Sequence, residues 1–215
     1  MIRVVLVDDH ASFRQPLAFM IEREDDFRVV GQAGSVAEGR KLLKDADVAV
    51  VDLDLPDGSG VELIRDLRKA NPTGVVMVLT ASGDRMLHAR AVEAGAASVM
   101  HKSSSIRDII DAVRRLSQGQ PLLTPNEMVE LLRLAGQQRD RDRDAQQTLG
   151  RLTRREREVL QALAAGQSDK EIADQLGISG ETARTHMVNI LGKLGVESRL
   201  QALIYAVRHG AVTIG

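Results

Sequence analysis

Asp47-Val48-Ala49-Val50-Val51-Asp52-Leu53-Asp54-Leu55-Pro56-Asp57-Gly58-Ser59-Gly60 is the stretch that decides the fold of this 215-residue chain. A Val-rich run ends on an acid, a turn containing Pro and Gly follows, and a helical pattern on Val61, Ile64 and Leu67 begins. A continuous apolar run without alternation suits a strand of a parallel sheet covered on both faces. Ser59 lies three residues before Glu62, the spacing at which hydroxyl and carboxylate satisfy two orphan amides of a helix start.

The same grammar repeats on both sides. Arg3–Val7, Phe27–Ala33, Val75–Leu79 and Ala97–His101 are further short, Val-containing runs bounded by turn residues. Phe13, Leu17, Met20 and Ile21 fall at helical spacing, with Pro16 either opening or kinking that helix. Ser35-x-x-Glu38 announces another helix, and Gly95 reads as a left-handed helix stop. Five strands interleaved with helices predict an α/β doubly wound five-stranded parallel sheet over residues 1–118. Right-handed crossovers then bring the carboxyl ends of all five strands to one edge, where open α/β sheets bind ligands.

That edge collects chemistry. The first strand ends in Asp8-Asp9, the third in Asp52, the fourth in Thr80, and the fifth runs into Lys102. Two carboxylates about 4 Å apart repel by roughly 4 kcal/mol at an effective dielectric near 20. A hard divalent cation such as Mg²⁺ relieves that repulsion and takes oxygen ligands. A carboxylate beside such an ion can attack an in-line phosphoryl group, with Lys102 and the Thr80 hydroxyl serving the phosphoryl oxygens. Any one of these residues alone is a cap, a turn residue or a solvated charge; four strand ends of one sheet supplying them together point to a site.

Composition narrows the alternatives. The chain has no Cys, which excludes a disulfide scaffold, a thiolate metal site and a Cys nucleophile. No apolar stretch is long enough to span a bilayer and the N-terminus does not read as a signal peptide, so a soluble cytoplasmic protein is expected. Net charge is −1 overall. Residues 1–118 hold 16 Lys/Arg against 18 Asp/Glu, and residues 151–215 hold 9 against 7. This mild basic bias permits a nucleic-acid partner at the C-terminal end without requiring one.

Residues 119–150 read as a joint. Thr124-Pro125-x-Glu127 opens one short helix with Met128, Leu131, Leu132 and Ala135 on its apolar face. The Arg–Asp alternation from Gln137 to Gln147 has almost no apolar surface and is expected to be a solvated linker. From residue 151 on, Thr153-x-x-Glu156, Ser168-x-x-Glu171, Ser179 and Ser198-x-x-Gln201 announce four helices, an all-α four-helix domain over residues 151–215. The second and third are separated by Gly177-Ile178-Ser179, which matches a helix-turn-helix. In such a unit the second helix enters the major groove. Its outward residues include Glu181, Thr182, Arg184, Thr185, Val188, Asn189 and Lys193. Arg can read guanine or grip phosphate, Asn can read adenine, and Thr can meet a thymine methyl. The last helix carries Leu200, Leu203, Ile204 and Val207 along one stripe, beside Ala202, Tyr205 and Ala206, and most of that stripe is expected to pack on the domain's own core.

Val5-Leu6-Val7-Asp8-Asp9-His10, Asp52-Leu53-Asp54-Leu55-Pro56-Asp57-Gly58-Ser59-Gly60, Leu79-Thr80-Ala81 and Lys102 together resemble the flavodoxin-like receiver domain of two-component response regulators. Leu152-Thr153-Arg154-Arg155-Glu156-Arg157-Glu158-Val159-Leu160, Ser168-Asp169-Lys170-Glu171-Ile172-Ala173, Gly177-Ile178-Ser179, Asn189-Ile190-Leu191 and Lys193-Leu194 resemble the LuxR-type DNA-binding domain. In length and domain order the chain is similar to NarL/FixJ-type response regulators. The resemblance implies that a partner histidine kinase phosphorylates Asp52. It implies Mg²⁺ on Asp9, Asp52 and the backbone carbonyl of Asp54, supported by Asp8, with Thr80 and Lys102 binding the phosphoryl group. It implies double-stranded DNA contacted by Lys170, Thr182, Arg184, Thr185, Val188, Asn189 and Lys193, a homodimer formed through Leu200, Leu203, Ile204 and Tyr205, and the transcription machinery as a further partner. Val99 stands where the family often has an aromatic residue, and Ser103 where it often has Pro. His10 resembles the family's common third residue and reads as a polar contact beside the acids.

Two other functions fit parts of the sequence. Val99 motivates a phosphorylation-independent DNA-binding regulator whose first domain is a protein-interaction module. Asp52-x-Asp54 superficially resembles phosphatases that form an aspartyl phosphate. Those place the nucleophile after the first strand and carry a substrate cap; here Asp52 follows the third and no cap is present, so an enzyme is not expected.

Overall fold

All five apolar runs become strands. In the computed structural model, which describes residues 1–42, 44 and 46–213, the strands in chain order are β1 (Ile2–Val7), β2 (Phe27–Ala33), β3 (Val48–Val51), the two-residue β4 (Asp54–Leu55) and β5 (Gly58–Ser59), β6 (Val75–Thr80) and β7 (Ser98–His101). β2-β1-β3-β6-β7 form one parallel sheet in the flavodoxin-like order, while β4 and β5 make a small antiparallel ladder.

The strand runs lack alternation because both faces are buried. Val5, Val7, Ala49, Val51, Val76 and Val78 pack with α2 (Val36–Leu42), α3 (Gly60–Ala70) and α4 (Arg85–Ala94). Val4, Leu6, Val48, Val50, Met77 and Leu79 pack on the other side with α1 (Ala11–Glu22) and α5 (Ile106–Ser117). Each fully buried Val, Leu or Ile contributes about 1.5–3 kcal/mol of transfer free energy, which holds the helices against both faces of the sheet. Pro16 lies within α1 rather than opening it, on the exposed side. Ser59 caps α3 by accepting from the Val61 amide, and Gly95 ends α4 at φ 114°, the left-handed region that favours glycine.

One cap was not visible in the sequence. Ser35 Oγ accepts from the Glu38 amide as expected, but the Glu38 carboxylate takes the Gly34 amide. The first amides of α2, on Val36 and Ala37, donate instead to Asp57 at 2.7 and 2.9 Å. The Ala37 and Val36 amides hold the Asp57 carboxyl below the ordinary range, and the turn after β4 is thereby tied to α2.

The chain divides into two units, Met1–Gly136 and Gln137–Gly215. The expected short helix and polar linker are corrected here: one helix, α6, runs from Pro125 to Gly150 through the whole Arg–Asp tract. The tract is helical because Ala145 and Leu149, four apart, are both buried, Leu149 within the second unit's core. Gln138 also donates to Asp142 at 2.9 Å, an i,i+4 bond.

The second unit completes its core with α7 (Arg154–Ala164), α8 (Asp169–Leu176), α9 (Gly180–Leu194) and α10 (Arg199–Arg208). Thr153 and Ser168 form full capping boxes with Glu156 and Glu171, and Gly177 ends α8 at φ 64°. Ile172, Ala173, Ala183, Met187, Ile190 and Leu194 hold α8 and α9 together. Of the apolar stripe on the last helix, Leu203 and Val207 pack against the core as expected, while Leu200 and Ile204 do not. The face of α10 that is fully buried is Ala202 and Ala206, whereas Leu200 and Ile204 are 65% and 55% exposed. Small residues let α10 lie close to its neighbours, with Leu203, Tyr205 and Val207 partly buried against the core and Leu200 and Ile204 left outside. Among the described residues no helix is long and apolar enough to cross a membrane.

Candidate functional site

Strand register places the rim residues. Val7 pairs with Val51, and the ladder runs one step further: the Asp8 amide donates to Ala33 O and the Asp52 amide to Val7 O. Thr80 pairs with His101, and the Lys102 amide donates to Thr80 O at 2.9 Å. Asp8 and Asp52 therefore leave adjacent strands side by side, at the point where the strand order reverses.

The side chains converge. Lys102 Nζ lies 2.7 Å from Asp8 Oδ2 and 2.6 Å from Asp52 Oδ2, and all three side chains are largely buried. The Lys102 ammonium also sits 5.3 Å from the centre of the Phe13 ring. Burial pushes the Asp52 carboxyl above the ordinary range, against the pull of Lys102. Burial opposes the charged form of Lys102 as well, but the hydrogen bonds to Asp52 and Asp8 outweigh it and raise its pKa. Asp9 is more exposed and lies 2.6 Å from the His10 ring nitrogen, while the His10 amide donates to Asp8. The Arg14 guanidinium donates to the Asp8 carbonyl, which fixes the turn into α1 from below.

Asp8, Asp9, His10 and Asp52 each offer one ligand atom within 4.8 Å of the others. Three carboxylates in so small a space, opposed by one ammonium, make a donor set that fits a hard divalent cation. Asp54 is exposed in β4, and its amide donates to Asp52 Oδ1 at 3.4 Å. Thr80 is fully buried; its hydroxyl accepts from the Ser82 amide at 3.1 Å and makes no hydrogen bond to Asp52.

A residue that the motif contains but whose role the sequence did not assign is Gly60. A Cβ there would lie 2.0 Å from the Asp52 carbonyl oxygen. The first residue of α3 is thus pressed against the backbone of Asp52, and only hydrogen fits between them.

In the second unit α9 presents a continuous exposed face of Glu181, Thr182, Arg184, Thr185, Val188 and Asn189, and Lys170 is exposed on α8. Val188 is 67% exposed, a large apolar side chain in the middle of this polar face. Ser179 Oγ and Thr182 Oγ1 are hydrogen-bonded to each other, and Thr185 Oγ1 donates to Glu181 O. Arg184 lies 3.9 Å from Asp169 and remains mostly exposed. Lys193 is placed otherwise. Its ammonium is 2.8 and 2.7 Å from the two oxygens of Glu156, a carboxylate that is 3% exposed. The family resemblance implies a DNA contact for Lys193; here its ammonium neutralises a carboxylate under α9. Burial pushes the Glu156 carboxyl up, but Lys193 and the Thr153 amide and hydroxyl outweigh it and hold it below the ordinary range.

Comparison with known proteins agrees with this division. The response regulator receiver domain model matches residues 4–114, and the model for bacterial regulatory proteins of the luxR family matches residues 150–206. The transcriptional regulatory protein LiaR of Bacillus subtilis is 36% identical over 99% of this chain and its own full length. The response regulator protein VraR of Staphylococcus aureus is 34% identical over 98% of this chain and 99% of its own. Among solved structures, the response regulator ChrA of a heme-sensing two-component system is 32% identical, covers 98% of both chains and has a TM-score of 0.50. RcsB of Salmonella enterica serovar Typhimurium, solved bound to promoter rprA in the presence of the phosphomimetic BeF3⁻, is 25% identical, covers 95% of this chain and 98% of its own, and has a TM-score of 0.52. With its acidic rim and its helix-turn-helix each in the matched segment, the chain belongs to the response regulators that join a receiver domain to a LuxR-type DNA-binding domain.

Proposed function

We propose that Asp52 accepts a phosphoryl group from the phosphohistidine of a partner kinase, and that this controls DNA binding and transcription by a dimer of the chain. The observation that carries the reading is the Asp8–Lys102–Asp52 bridge beside Asp9. One ammonium faces two buried carboxylates with a third close by, so the pocket has negative charge to spare. Asp9, Asp52 and the Asp54 backbone carbonyl would hold Mg²⁺, with Asp8 in support. Bound there, the ion would neutralise carboxylate charge and so lower the repulsion met by an incoming phosphoryl group. In the transfer an Asp52 oxygen forms the new bond to phosphorus and the bond from phosphorus to the imidazole nitrogen breaks. Lys102 stays paired with the pocket, and the Thr80 hydroxyl, whose oxygen already accepts from Ser82, has its hydrogen left to donate to the phosphoryl group. The chain serves as acceptor and switch, not as an enzyme with a substrate of its own.

On the reader, the outer face of α9 would enter the major groove. Arg184 and Asn189 suit base edges or phosphate, Thr182, Thr185 and Lys170 suit the backbone, and Val188 suits an apolar contact such as a thymine methyl. Leu200 and Ile204, exposed on α10, would pair two copies, with Leu203 and Tyr205 beside them, so that two readers meet half-sites one helical turn apart or a multiple of it. A phosphoryl group shifts the balance only by the difference in its interaction with the two states.

The test is intact-protein mass measurement after incubation with Mg²⁺ and a small phosphodonor. A phosphoryl adduct on the wild type that is lost in Asp52→Asn, together with tighter DNA binding by the adduct, is the expected result. No adduct under conditions that label another receiver would overturn it. Equal DNA affinity with and without the adduct would favour the second reading, in which Val99, packed as an aliphatic side chain against the core, leaves the receiver as an interaction module.

A further inference from the structure

The segment that follows Thr80 is held at two successive carbonyls by two imidazoles from different elements. His101, on β7, lies with Nε2 2.9 Å from Ala81 O. His88, on α4, lies with Nε2 2.8 Å from Ser82 O. A carbonyl oxygen only accepts, so both Nε2 atoms carry a hydrogen and donate it. The other face of His101 is fixed as well: Nδ1 is 2.6 Å from the Ser103 hydroxyl and accepts from the Ser103 amide at 3.1 Å. His101 directly precedes Lys102, and Lys102 faces Asp52.

We infer that His101 and His88 are positioning residues that preorganise the Thr80 hydroxyl for the phosphoryl group on Asp52. The chain of contacts is short. His88 fixes the Ser82 carbonyl, the Ser82 amide donates to Thr80 Oγ1, and His101 fixes the carbonyl between them. The Thr80 backbone is itself tied to β7 through the Lys102 amide. With its oxygen occupied by Ser82, the hydroxyl has one hydrogen left to direct, and the direction is set by a loop clamped from both sides. A donor held in place before charge develops costs no reorganisation when the group arrives. Neither histidine touches the phosphoryl group; both act through the loop. The inference rests on the proposed phosphorylation of Asp52.

The experiment uses the full chain and measures labelling by acetyl phosphate at varied Mg²⁺. His88→Leu is expected to lower the maximal labelling rate by about fivefold, the loss of one ordinary hydrogen bond, and His101→Leu by at least as much, since its Nδ1 contacts to Ser103 go as well. The Mg²⁺ concentration for half-maximal rate is expected to stay put, since the metal ligands are untouched. His101→Gln and His88→Gln, whose amide nitrogen replaces the Nε2 donor, are expected to recover the rate to within twofold. Leu variants that label as fast as the wild type or faster overturn the inference, as do Gln variants that recover nothing. A parallel shift in Mg²⁺ dependence also overturns it, because that marks general loosening of the domain. If the wild type itself is not labelled, the proposed phosphorylation fails, a result distinct from all of these.

Discussion

The two units each bury a lysine–carboxylate contact, and they do it in opposite ways. In the reader, Lys193 faces Glu156 alone, and the carboxylate's remaining capacity is filled by the Thr153 amide at 2.6 Å, so charge and hydrogen bonds balance. In the receiver, Lys102 faces both Asp8 and Asp52, with Asp9 nearby, so the charge does not balance. The balanced pair stitches α9 to the start of α7. The unbalanced one leaves a pocket that is short of positive charge, which is what a site awaiting a cation and an incoming group requires. The same residue types therefore mean structure in one unit and chemistry in the other, and the count of partners distinguishes them.

The largest effect on stability should come from breaking the balanced pair on its exposed side. Lys193→Met leaves the Glu156 carboxylate buried without its cation and is expected to cost roughly 3 kcal/mol, read as a drop in the denaturant midpoint of the reader transition. A loss under about 1 kcal/mol would mean that the contact is no more than a surface ion pair.

Glu156→Gln comes next, at roughly 2 kcal/mol near neutral pH, since it removes a charge-assisted bond but leaves no buried charge behind. The pH dependence has a definite sign. The folded carboxyl is held below its ordinary value, so its contribution is complete above about pH 4.3. It fades as pH falls through the lower folded value. Wild-type and Glu156→Gln stabilities should converge on acidification, which urea titrations across that range would reveal. A difference that persists unchanged into acid would remove the charge from the account.

For the unbalanced pocket the same kind of change should be nearly neutral. Asp52→Asn removes an attraction to Lys102 and also a repulsion with Asp8, worth at least roughly 3.5 kcal/mol at up to 4.8 Å and an effective dielectric of 20. It also removes the desolvation cost of a buried charge, which pushes the Asp52 carboxyl up. Receiver stability is expected to stay within about 1 kcal/mol of wild type while phosphoryl acceptance is lost. A large destabilisation of folded Asp52→Asn would make the aspartate a structural partner like Glu156 and erase the contrast.

Much of this was legible in the sequence, and for a reason that also marks the limit. Strand runs, capping boxes and the rim residues Asp8, Asp9, Asp52, Thr80 and Lys102 are local signals, carried by neighbours or by a register that parallel strands enforce. What escaped depends on partners far along the chain. The Arg–Asp tract of α6 reads as linker because its apolar content is Ala145, and the Leu149 that follows it shows its value only once the second unit supplies a core. Of the α10 stripe, Leu203 and Val207 pack on the core only in part and Leu200 and Ile204 stay exposed, because the neighbours of α10 approach closely enough that Ala202 and Ala206 fill the contact. Asp57 capping α2 and His88 clamping a carbonyl likewise use contacts that no local pattern encodes.

The smallest effect separates Lys193 from Lys170, which the family resemblance places in one DNA-binding set. Lys170 is exposed near the start of α8, whereas Lys193 is engaged by Glu156. If Lys170 neutralises one phosphate, Lys170→Ala lowers the slope of log affinity against log salt by about 0.9, with a modest loss of affinity at physiological salt. Lys193→Met should leave that slope unchanged under conditions where the variant is folded, since an ammonium already neutralised inside the protein releases no counterion on binding DNA. Binding isotherms on one duplex across a salt series decide it. A slope that falls equally for both variants would show that Glu156 surrenders its lysine to the phosphate, and the balanced pair would then be a part of the reader's DNA contact after all.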